Sequence, residues 1–227
     1  MSGHTRGLLI DLDDTLYDYE PAERAGRAAL IPLLARDLSM DAGEVVQRLE
    51  SARRRVKQRV AGQGCSHSRL LYLHELAHES RAPHAWLRVR GWERAFWQAY
   101  LSAVRLRPCA RELLTGWRQL GHRTAIITDL VLEVQLWKLE VLRVGELIDA
   151  VVVSEEVAHD KPAPQLFELA IERLGLNREA CVVVGDDETK DGAGAHALGL
   201  PFLRVESSSR EGGFSLRDVA RKLGVTT

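Results

Sequence analysis

The stretch Gly7-Leu8-Leu9-Ile10-Asp11-Leu12-Asp13-Asp14-Thr15 decides the fold. Its first six residues form a short apolar run that ends in acid, which is typical of a buried parallel strand. Four similar runs follow later in the chain, each after a helical pattern: Arg123–Thr128, Ala150–Val153, Cys181–Gly185 and Pro201–Val205. This alternation predicts an α/β fold with a doubly wound, Rossmann-like parallel sheet.

A helical segment interrupts this pattern after the first strand, because strand-like runs disappear and helical periodicity takes over. Asp41 and Glu44 form a capping-box pattern, and Pro83 separates helices over about 68–79 and 84–104. We therefore expect a core domain made of residues 1–16 and 106–227, with an α-helical domain over 17–105. Three tryptophans of the insertion, Trp86, Trp92 and Trp97, are expected in its core.

Length and composition narrow the class of protein. The chain has 227 residues, of which 45% are apolar and 28% charged, which suits one folded domain or a core with an insertion and excludes a disordered chain. With 31 Lys+Arg against 32 Asp+Glu, no overall field favours nucleic acid or an anionic membrane. No apolar stretch approaches the ~20 residues that span a bilayer.

Cysteine usage and the N-terminal sequence bear on the compartment. The three cysteines, Cys65, Cys109 and Cys181, form no CxxC pair, so we expect reduced, buried thiols rather than disulfides or a thiolate zinc site. The N-terminal apolar run is too short for the core of a signal peptide. We expect a cytoplasmic protein, and the oligomeric state is not readable from the sequence.

Acidic residues follow the predicted strands where ligands bind in α/β sheets, at the carboxyl ends. Asp11 and Asp13 follow the first strand, and Asp186, Asp187 and Asp191 follow the fourth. Carboxylates held close together repel one another, so a fold retains them with a cation or for a function. Hard oxygen ligands of this kind suit Mg²⁺.

The chain resembles the haloacid dehalogenase (HAD) superfamily, whose four motifs occur in it in order. They are Asp11-Leu12-Asp13-Asp14-Thr15, Ile127-Thr128-Asp129, Lys161-Pro162-Ala163-Pro164, and Val184-Gly185-Asp186-Asp187 with Asp191. The insertion resembles the α-helical cap of that family. The resemblance implies a Mg²⁺-dependent phosphatase that hydrolyses a small phosphorylated metabolite, a phosphomonoester.

The resemblance also assigns roles. Asp11 would be the nucleophile that forms an aspartyl-phosphate, and Asp13 the general acid and base. Thr128, Lys161 and the backbone at Leu12 and Asp129 would bind the phosphoryl group.

For the metal, the resemblance implies the Asp11 carboxylate, the Asp13 backbone carbonyl and the Asp186 carboxylate as ligands. Asp187 and Asp191 would act on the metal through water, or would hold the residues that bind it. One departure is Asp129-Leu130, where many family members have Asn-Gly; it adds a carboxylate near the phosphate.

Several alternatives remain at this stage. The dehalogenase branch lacks the second aspartate, and the phosphonate-cleaving branch needs a cap lysine, for which Lys57 is the sole candidate, on a helix whose basic face we expect to be solvated. A sugar-phosphate mutase shares the core residues, and a non-catalytic binding or regulatory protein could retain the scaffold.

A competing signature is His74-Glu75-Leu76-Ala77-His78, which matches the zinc-peptidase pattern HExxH. The pattern's glycine is replaced by Arg81 and no Met-turn is available, so we set it aside. His67, Leu71, His74, His78 and Arg81 share one helix face, which we expect to pack or to face solvent rather than to select a substrate.

Overall fold

Five parallel strands form the sheet that carries the site: β1 (Gly7–Ile10), β2 (Arg123–Thr128), β3 (Ala150–Val153), β4 (Cys181–Gly185) and β5 (Phe202–Arg204). The computed structural model describes residues 5–207 and 212–226. The strand order is β3-β2-β1-β4-β5, and every pairing is parallel. The chain moves outward from β1 in both directions, so the order reverses beside β1 and leaves a crevice at the carboxyl ends of the strands. The predicted fold class is confirmed.

Ten α-helices occur in the described residues. They are α1 (Tyr19–Leu38), α2 (Ala42–Arg59), α3 (Arg69–Ser80), α4 (Val89–Ala103), α5 (Ala110–Gln119), α6 (Leu132–Leu142), α7 (Ser154–Val157), α8 (Pro164–Leu174), α9 (Ala193–Ala197) and α10 (Leu216–Leu223). Short 3₁₀ turns lie at Gly64–His67, Ala85–Arg88, Gly145–Leu147 and Arg178–Ala180, and a π turn at Glu188–Gly192. None of these helices is both long and apolar enough to cross a membrane.

Both faces of the sheet are buried, which explains why its strands are continuously apolar. Leu8 and Ile10 of β1 point to one side, where they join a cluster with residues of α5 and α10. Leu9 points to the other side and joins the cluster of α8 and α9. The central strand is therefore enclosed on both faces, and only its carboxyl end opens toward the crevice.

Helices α1 to α4, which follow β1 and precede α5 in the chain, pack against one another. Gly26 of α1 lies against Phe96 of α4, where an added Cβ would come within 2.6 Å of the ring. Trp97 and Tyr100 stack edge-to-face with ring centroids 5.1 Å apart. The absence of a side chain at Gly26 thus lets α1 and α4 pack closely around an aromatic core.

Several expectations about local structure need correction. Trp92 and Trp97 are buried as expected, but Trp86 is 55% exposed because it lies in the 3₁₀ turn before α4. His84 has a positive φ and begins that turn, so the helix expected over 84–104 is two elements. The first strand ends at Ile10, which places Asp11 outside it.

The capping and cysteine expectations hold in part. Asp41 accepts a hydrogen bond from the Glu44 backbone N–H (2.9 Å), but the Glu44 carboxylate pairs with Arg48, so the capping box is half formed. All three cysteines are free, but among them only Cys181 is fully buried.

Candidate active site

Asp11 lies at the centre of the site, directly after β1. Its backbone N–H donates to the Val184 carbonyl of β4 (2.9 Å), which continues the strand pairing up to the aspartate. The side chain is buried: Oδ1 lies 2.6 Å from Lys161 Nζ, and Oδ2 accepts a hydrogen bond from Thr15 Oγ1 at 2.9 Å. Two contacts from different segments therefore fix the orientation of this carboxylate.

Lys161 links two of the predicted acidic residues. It lies in the turn before α8, is 6% exposed, and places Nζ 2.6 Å from Asp11 Oδ1 and 2.7 Å from Asp191 Oδ1. Burial lowers the pKa of Lys161, but the charges of Asp11, Asp191 and Asp129 outweigh that effect and raise it well above its usual value. The ammonium is therefore charged throughout the neutral pH range.

Three buried carboxylates, those of Asp11, Asp186 and Asp191, form a compact acidic group whose ligand oxygens lie within 4.8 Å of one another. Burial, followed by the charges of the neighbouring aspartates, raises the pKa of Asp11 well above its usual value despite Lys161. Gly185 makes the arrangement compact, because an added Cβ there would come within 2.3 Å of Asp191 Oδ2. Such oxygen-rich, negatively charged surroundings fit a hard divalent cation.

Asp187, the other predicted supporting residue, borders the same cavity but its carboxylate faces the following π turn. Oδ1 accepts from the Thr189 backbone N–H (2.9 Å) and from Thr189 Oγ1 (2.7 Å). The Asp187 backbone N–H in turn donates to Asp191 Oδ2 at 3.1 Å. Asp187 thereby helps to hold Asp191 in place.

Thr128 is the last residue of β2, and Asp129 follows it. β2 lies beside β1 on the side opposite β4. The carboxylate of Asp129 accepts a hydrogen bond from the Lys161 backbone N–H (2.9 Å) through Oδ1 and pairs with Lys190 Nζ (2.7 Å) through Oδ2. The extra negative charge at this position is therefore compensated by Lys190. Leu130 keeps the backbone shape that glycine would give, with φ of 107°, and its N–H donates to Ser154 Oγ at 3.0 Å.

Asp13 faces Asp11 across the cavity and has three side-chain partners. Lys138 Nζ lies 2.6 Å from Asp13 Oδ1, Gln135 Nε2 donates to Oδ2 at 3.2 Å, and the Tyr17 hydroxyl also donates to Oδ1. Burial would raise the pKa of Asp13, but Lys138, Tyr17 and Gln135 together hold it below its usual value. The free site thus holds Asp13 as an oriented carboxylate.

These side chains border one cavity of about 210 Å³ at the carboxyl end of the sheet. The predicted residues Asp11, Asp13, Thr128, Lys161 and Asp186 all border it, although they come from four separate segments of the chain. Leu12 is fully buried beside them. The cavity thus brings a buried carboxylate, further acidic oxygens and cations together.

Comparison with known proteins agrees with this arrangement. The sequence profile described as haloacid dehalogenase-like hydrolase matches residues 5–199. The chain belongs to the haloacid dehalogenase-like hydrolases. The family prediction is confirmed, and the protein is an enzyme of the HAD-like hydrolase class.

Named relatives lie within the phosphatase branch of the HAD-like hydrolases. The chain is 37% identical to a ribulose-1,5-bisphosphate 5-phosphatase of Halopiger xanaduensis, over 88% of this chain and 84% of that one. It is 30% identical to a glyceraldehyde 3-phosphate phosphatase of Methanopyrus kandleri, over 88% and 83% of the two chains. A 2-haloacid dehalogenase of Pseudomonas syringae pv. Tomato DC3000 shares the fold, with a TM-score of 0.79 and 21% identity over 97% and 99% of the chains.

The helical insertion of this HAD-like hydrolase covers the cavity from the other side. Tyr19, His67, Arg69, Trp97 and Tyr100 border it. The insertion thereby supplies the aromatic and basic surfaces that a substrate would meet beyond its phosphate.

Histidines on the predicted shared face have different surroundings. His67 Nε2 lies 3.1 Å from Asp160 Oδ2 and borders the cavity. His74 and His78 are exposed, and their Nε2 atoms lie 3.2 Å apart. His67 thus packs against the core as well as bordering the cavity, while His74 and His78 face solvent as expected.

The HExxH pattern forms no zinc site in the described residues. Glu75, which would serve as its base, pairs instead with Arg55 (3.2 Å) and Arg59 (3.0 Å) of α2. No third metal-ligating side chain completes a group with His74 and His78 in the part of the chain that the structure describes.

Sequence reasoning missed Gln135 and Lys138, the two partners of Asp13 on α6. Both are fully buried, and their spacing of three residues places them on the same helix face. The available signal was weak, because α6 carries four long polar residues, Glu133, Gln135, Lys138 and Glu140, and the pattern does not show which of them are buried. Buried polar side chains need partners, and here Gln135 and Lys138 find theirs in Asp13.

The basic helix α2 also differs from expectation, because only part of its basic face is solvated. Arg55 and Arg59 pair with α3 as described above, and Arg53 lies 3.2 Å from Glu50. Lys57 is half-buried rather than solvated.

Proposed function

We propose that this HAD-like hydrolase is a Mg²⁺-dependent phosphatase that hydrolyses a small phosphorylated metabolite through an aspartyl-phosphate on Asp11. The observation that carries the proposal is the buried Asp11 carboxylate, held by Lys161 and Thr15 and facing Asp13 across a cavity. The phosphatase names of its relatives support the same reaction. A dehalogenase would have no use for Asp13 or for an acidic group of this size.

The acidic group fits Mg²⁺ by its chemistry, since three buried carboxylates are accompanied by one lysine. The Asp11 and Asp186 carboxylates and the Asp13 backbone carbonyl would hold the ion, with Asp191 and Asp187 behind them. When bound, Mg²⁺ supplies positive charge that offsets the repulsion between Asp11 and a phosphate dianion.

In the first chemical step, Asp11 Oδ attacks phosphorus, the bond from phosphorus to the leaving oxygen breaks, and Asp13 donates its proton to that oxygen. Asp13 starts as a carboxylate in the free site, and the negative charge of a bound phosphate favours its protonation. In the second step, water attacks phosphorus, Asp13 takes its proton, and Asp11 is released with inorganic phosphate.

Phosphoryl oxygens would be bound by the Thr128 hydroxyl, by the Leu12 and Asp129 backbone N–H groups and by Lys161. Lys161 is rigidly placed by Asp11 and Asp191, so its charge is directed at the reacting group before the substrate arrives. Gln135 donates to Thr128 Oγ1 at 2.6 Å, and the Thr128 hydroxyl donates to the Asp129 carbonyl at 3.3 Å, a contact that a bound phosphate oxygen would replace. Positioning and electrostatics would supply most of the rate enhancement.

We assign residues 17–105 to a cap and residues 1–16 and 106–227 to the core. The cap would select the substrate. The relatives are named for a phosphorylated sugar and a phosphorylated triose, so we propose a small phosphosugar as the substrate. We further propose that the enzyme acts in the cytoplasm, where such metabolites and free cysteines occur together.

Phosphate release from a panel of phosphorylated sugars, measured with Mg²⁺ and with EDTA, tests this function. We expect release that requires Mg²⁺ and that Asp11→Asn abolishes, because an amide is a poor nucleophile and a poor magnesium ligand. Release by Asp11→Asn at the wild-type rate would refute the covalent mechanism. Isomerised sugar phosphate without free phosphate would instead identify a mutase.

A further inference from the structure

Three of the five lysines of the chain border the cavity, and a fourth lies on the helix that ends beside it, although the chain contains 26 arginines. Lys161 and Lys138 contact Asp11 and Asp13, and Lys190 pairs with Asp129. The fourth, Lys57, comes from α2 on the opposite side and has no role in the mechanism above.

Lys57 lies where the end of α2 meets the core. Three residues after that helix ends, the Gly62 carbonyl accepts a hydrogen bond from the Asp160 backbone N–H at 2.7 Å. Asp160 directly precedes Lys161, so the last turn of α2 is held beside the third motif. Lys57 is half-buried in this position.

Several charges act on Lys57. Those of Arg53 on the same helix, Lys190 of the core and Arg69 of α3 oppose its positive charge, and that of Asp160 favours it. Burial is the first cause and these cations the next, and together they lower the pKa of Lys57.

The neighbouring cations already have anionic partners, whereas the described residues provide none for Lys57. Arg53 pairs with Glu50, Arg69 with Glu23 at 2.6 Å, and Lys190 with Asp129 at 2.7 Å. In residues 5–207 and 212–226, Lys57 makes no hydrogen bond or ion pair. A half-buried, unpaired cation among like charges is unfavourable unless an anion binds there.

We propose that Lys57, together with Lys190 and Arg69, forms a second anion subsite at the mouth of the cleft. It binds a second phosphate or carboxylate of the same substrate molecule whose phosphate reaches Asp11. Arg69 and Lys190 border the cavity that contains Asp11, so one small molecule can contact both sets of residues. The inference rests on the proposed phosphatase function and narrows its substrates to phosphosugars with two anionic groups.

The test compares substrates that differ in the second anion alone. Ribulose 1,5-bisphosphate is compared with ribulose 5-phosphate, and 3-phosphoglycerate with glyceraldehyde 3-phosphate. In at least one pair, we expect the wild-type enzyme to prefer the substrate that has two anionic groups. The pair that shows this preference identifies phosphate or carboxylate as the second group. In Lys57→Met, the ratio of kcat/KM values within that pair should fall about tenfold, through KM, as expected for one charge-assisted contact.

Arg54→Gln is the matched control, because Arg54 is an exposed cation on the same helix whose hydrogen bond goes to Ser51. It should keep the wild-type ratio, and Lys57→Arg should retain most of the preference. The melting temperature of Lys57→Met should not fall, since the substitution removes an unpaired buried charge.

Two failures can be told apart. If the wild-type enzyme releases no phosphate with Mg²⁺, the proposed function fails. If it is an active phosphatase but Lys57→Met keeps the wild-type ratio, or lowers kcat/KM for both members of the pair by the same factor, the subsite is refuted and the phosphatase assignment stands.

Discussion

Replacing Lys138 by methionine should lower kcat about thirtyfold with little change in KM. Lys138 Nζ lies 2.6 Å from Asp13 Oδ1, and the lysine side chain is 2% exposed. A hydrogen bond to a charged group contributes roughly 1.5–3 kcal/mol. The Asp13 side chain is 29% exposed, so water screens the pair in part, and we take about 2 kcal/mol. If that energy serves to orient Asp13 for proton transfer, its loss corresponds to about thirtyfold in rate.

Methionine has nearly the shape of lysine, so the buried packing of α6 is preserved and the charge is removed. Tyr17 and Gln135 still hold Asp13, which should leave the enzyme folded. Steady-state kinetics with Mg²⁺ provide the assay, and a thermal melt checks folding. Lys222→Met is the control, since that exposed lysine lies over the Phe214 ring and is not a partner of Asp13. A folded Lys138→Met enzyme whose kcat stays within threefold of wild type would refute the positioning role.

Three further outcomes are expected. Asp13→Asn should slow turnover by roughly 10²–10⁴-fold and leave an acid-stable phosphoenzyme that rapid quenching detects, because the amide cannot transfer the proton; wild-type turnover would contradict its role. Gly26→Ala should lower the free energy of unfolding by about 1–2 kcal/mol in urea titrations, because its Cβ would meet the Phe96 ring at 2.6 Å; unchanged stability would mean that the ring moves freely. Asp37→Ala should lower the free energy of unfolding by about 1 kcal/mol at pH 7. The hydrogen bond from Trp92, then that from Arg36, lowers the pKa of Asp37, so its stabilisation is present above about pH 4 and fades as the pH falls through the lowered pKa; an equal loss at pH 2.5 and pH 7 would contradict this.

The core of the site was predictable because it lies in short continuous motifs. Asp11, Thr128 and Asp186 each follow an apolar run directly, and the carboxyl ends of neighbouring parallel strands meet at one edge of the sheet. Strand order was not needed to bring them together. Lys161 was predicted only from the resemblance to a known family, because a lone lysine in a sequence carries no signal of its own.

The partners of Asp13 could not be read in the same way. Lys138 is 125 residues from Asp13 in the chain, and nothing in the local pattern shows which face of α6 meets the first motif. Lys57 was expected to be solvated because it stands in a run of arginines. Only the docking of the Gly62 segment on Asp160 places it beside the core.

The α/β class, the parallel sheet and the acidic residues at its carboxyl edge follow from local sequence, because strand periodicity and strand-end position are local properties of the chain. Which cations neutralise those acids depends on the packing of distant segments. Lys161, Lys190 and Lys138 reach their partners from three separate segments, and charge compensation depends on distances that only packing sets. The same packing places Lys57 beside the core without an ion-pair partner among residues 5–207 and 212–226, so the proposed second anion subsite can be recognised only in the folded chain.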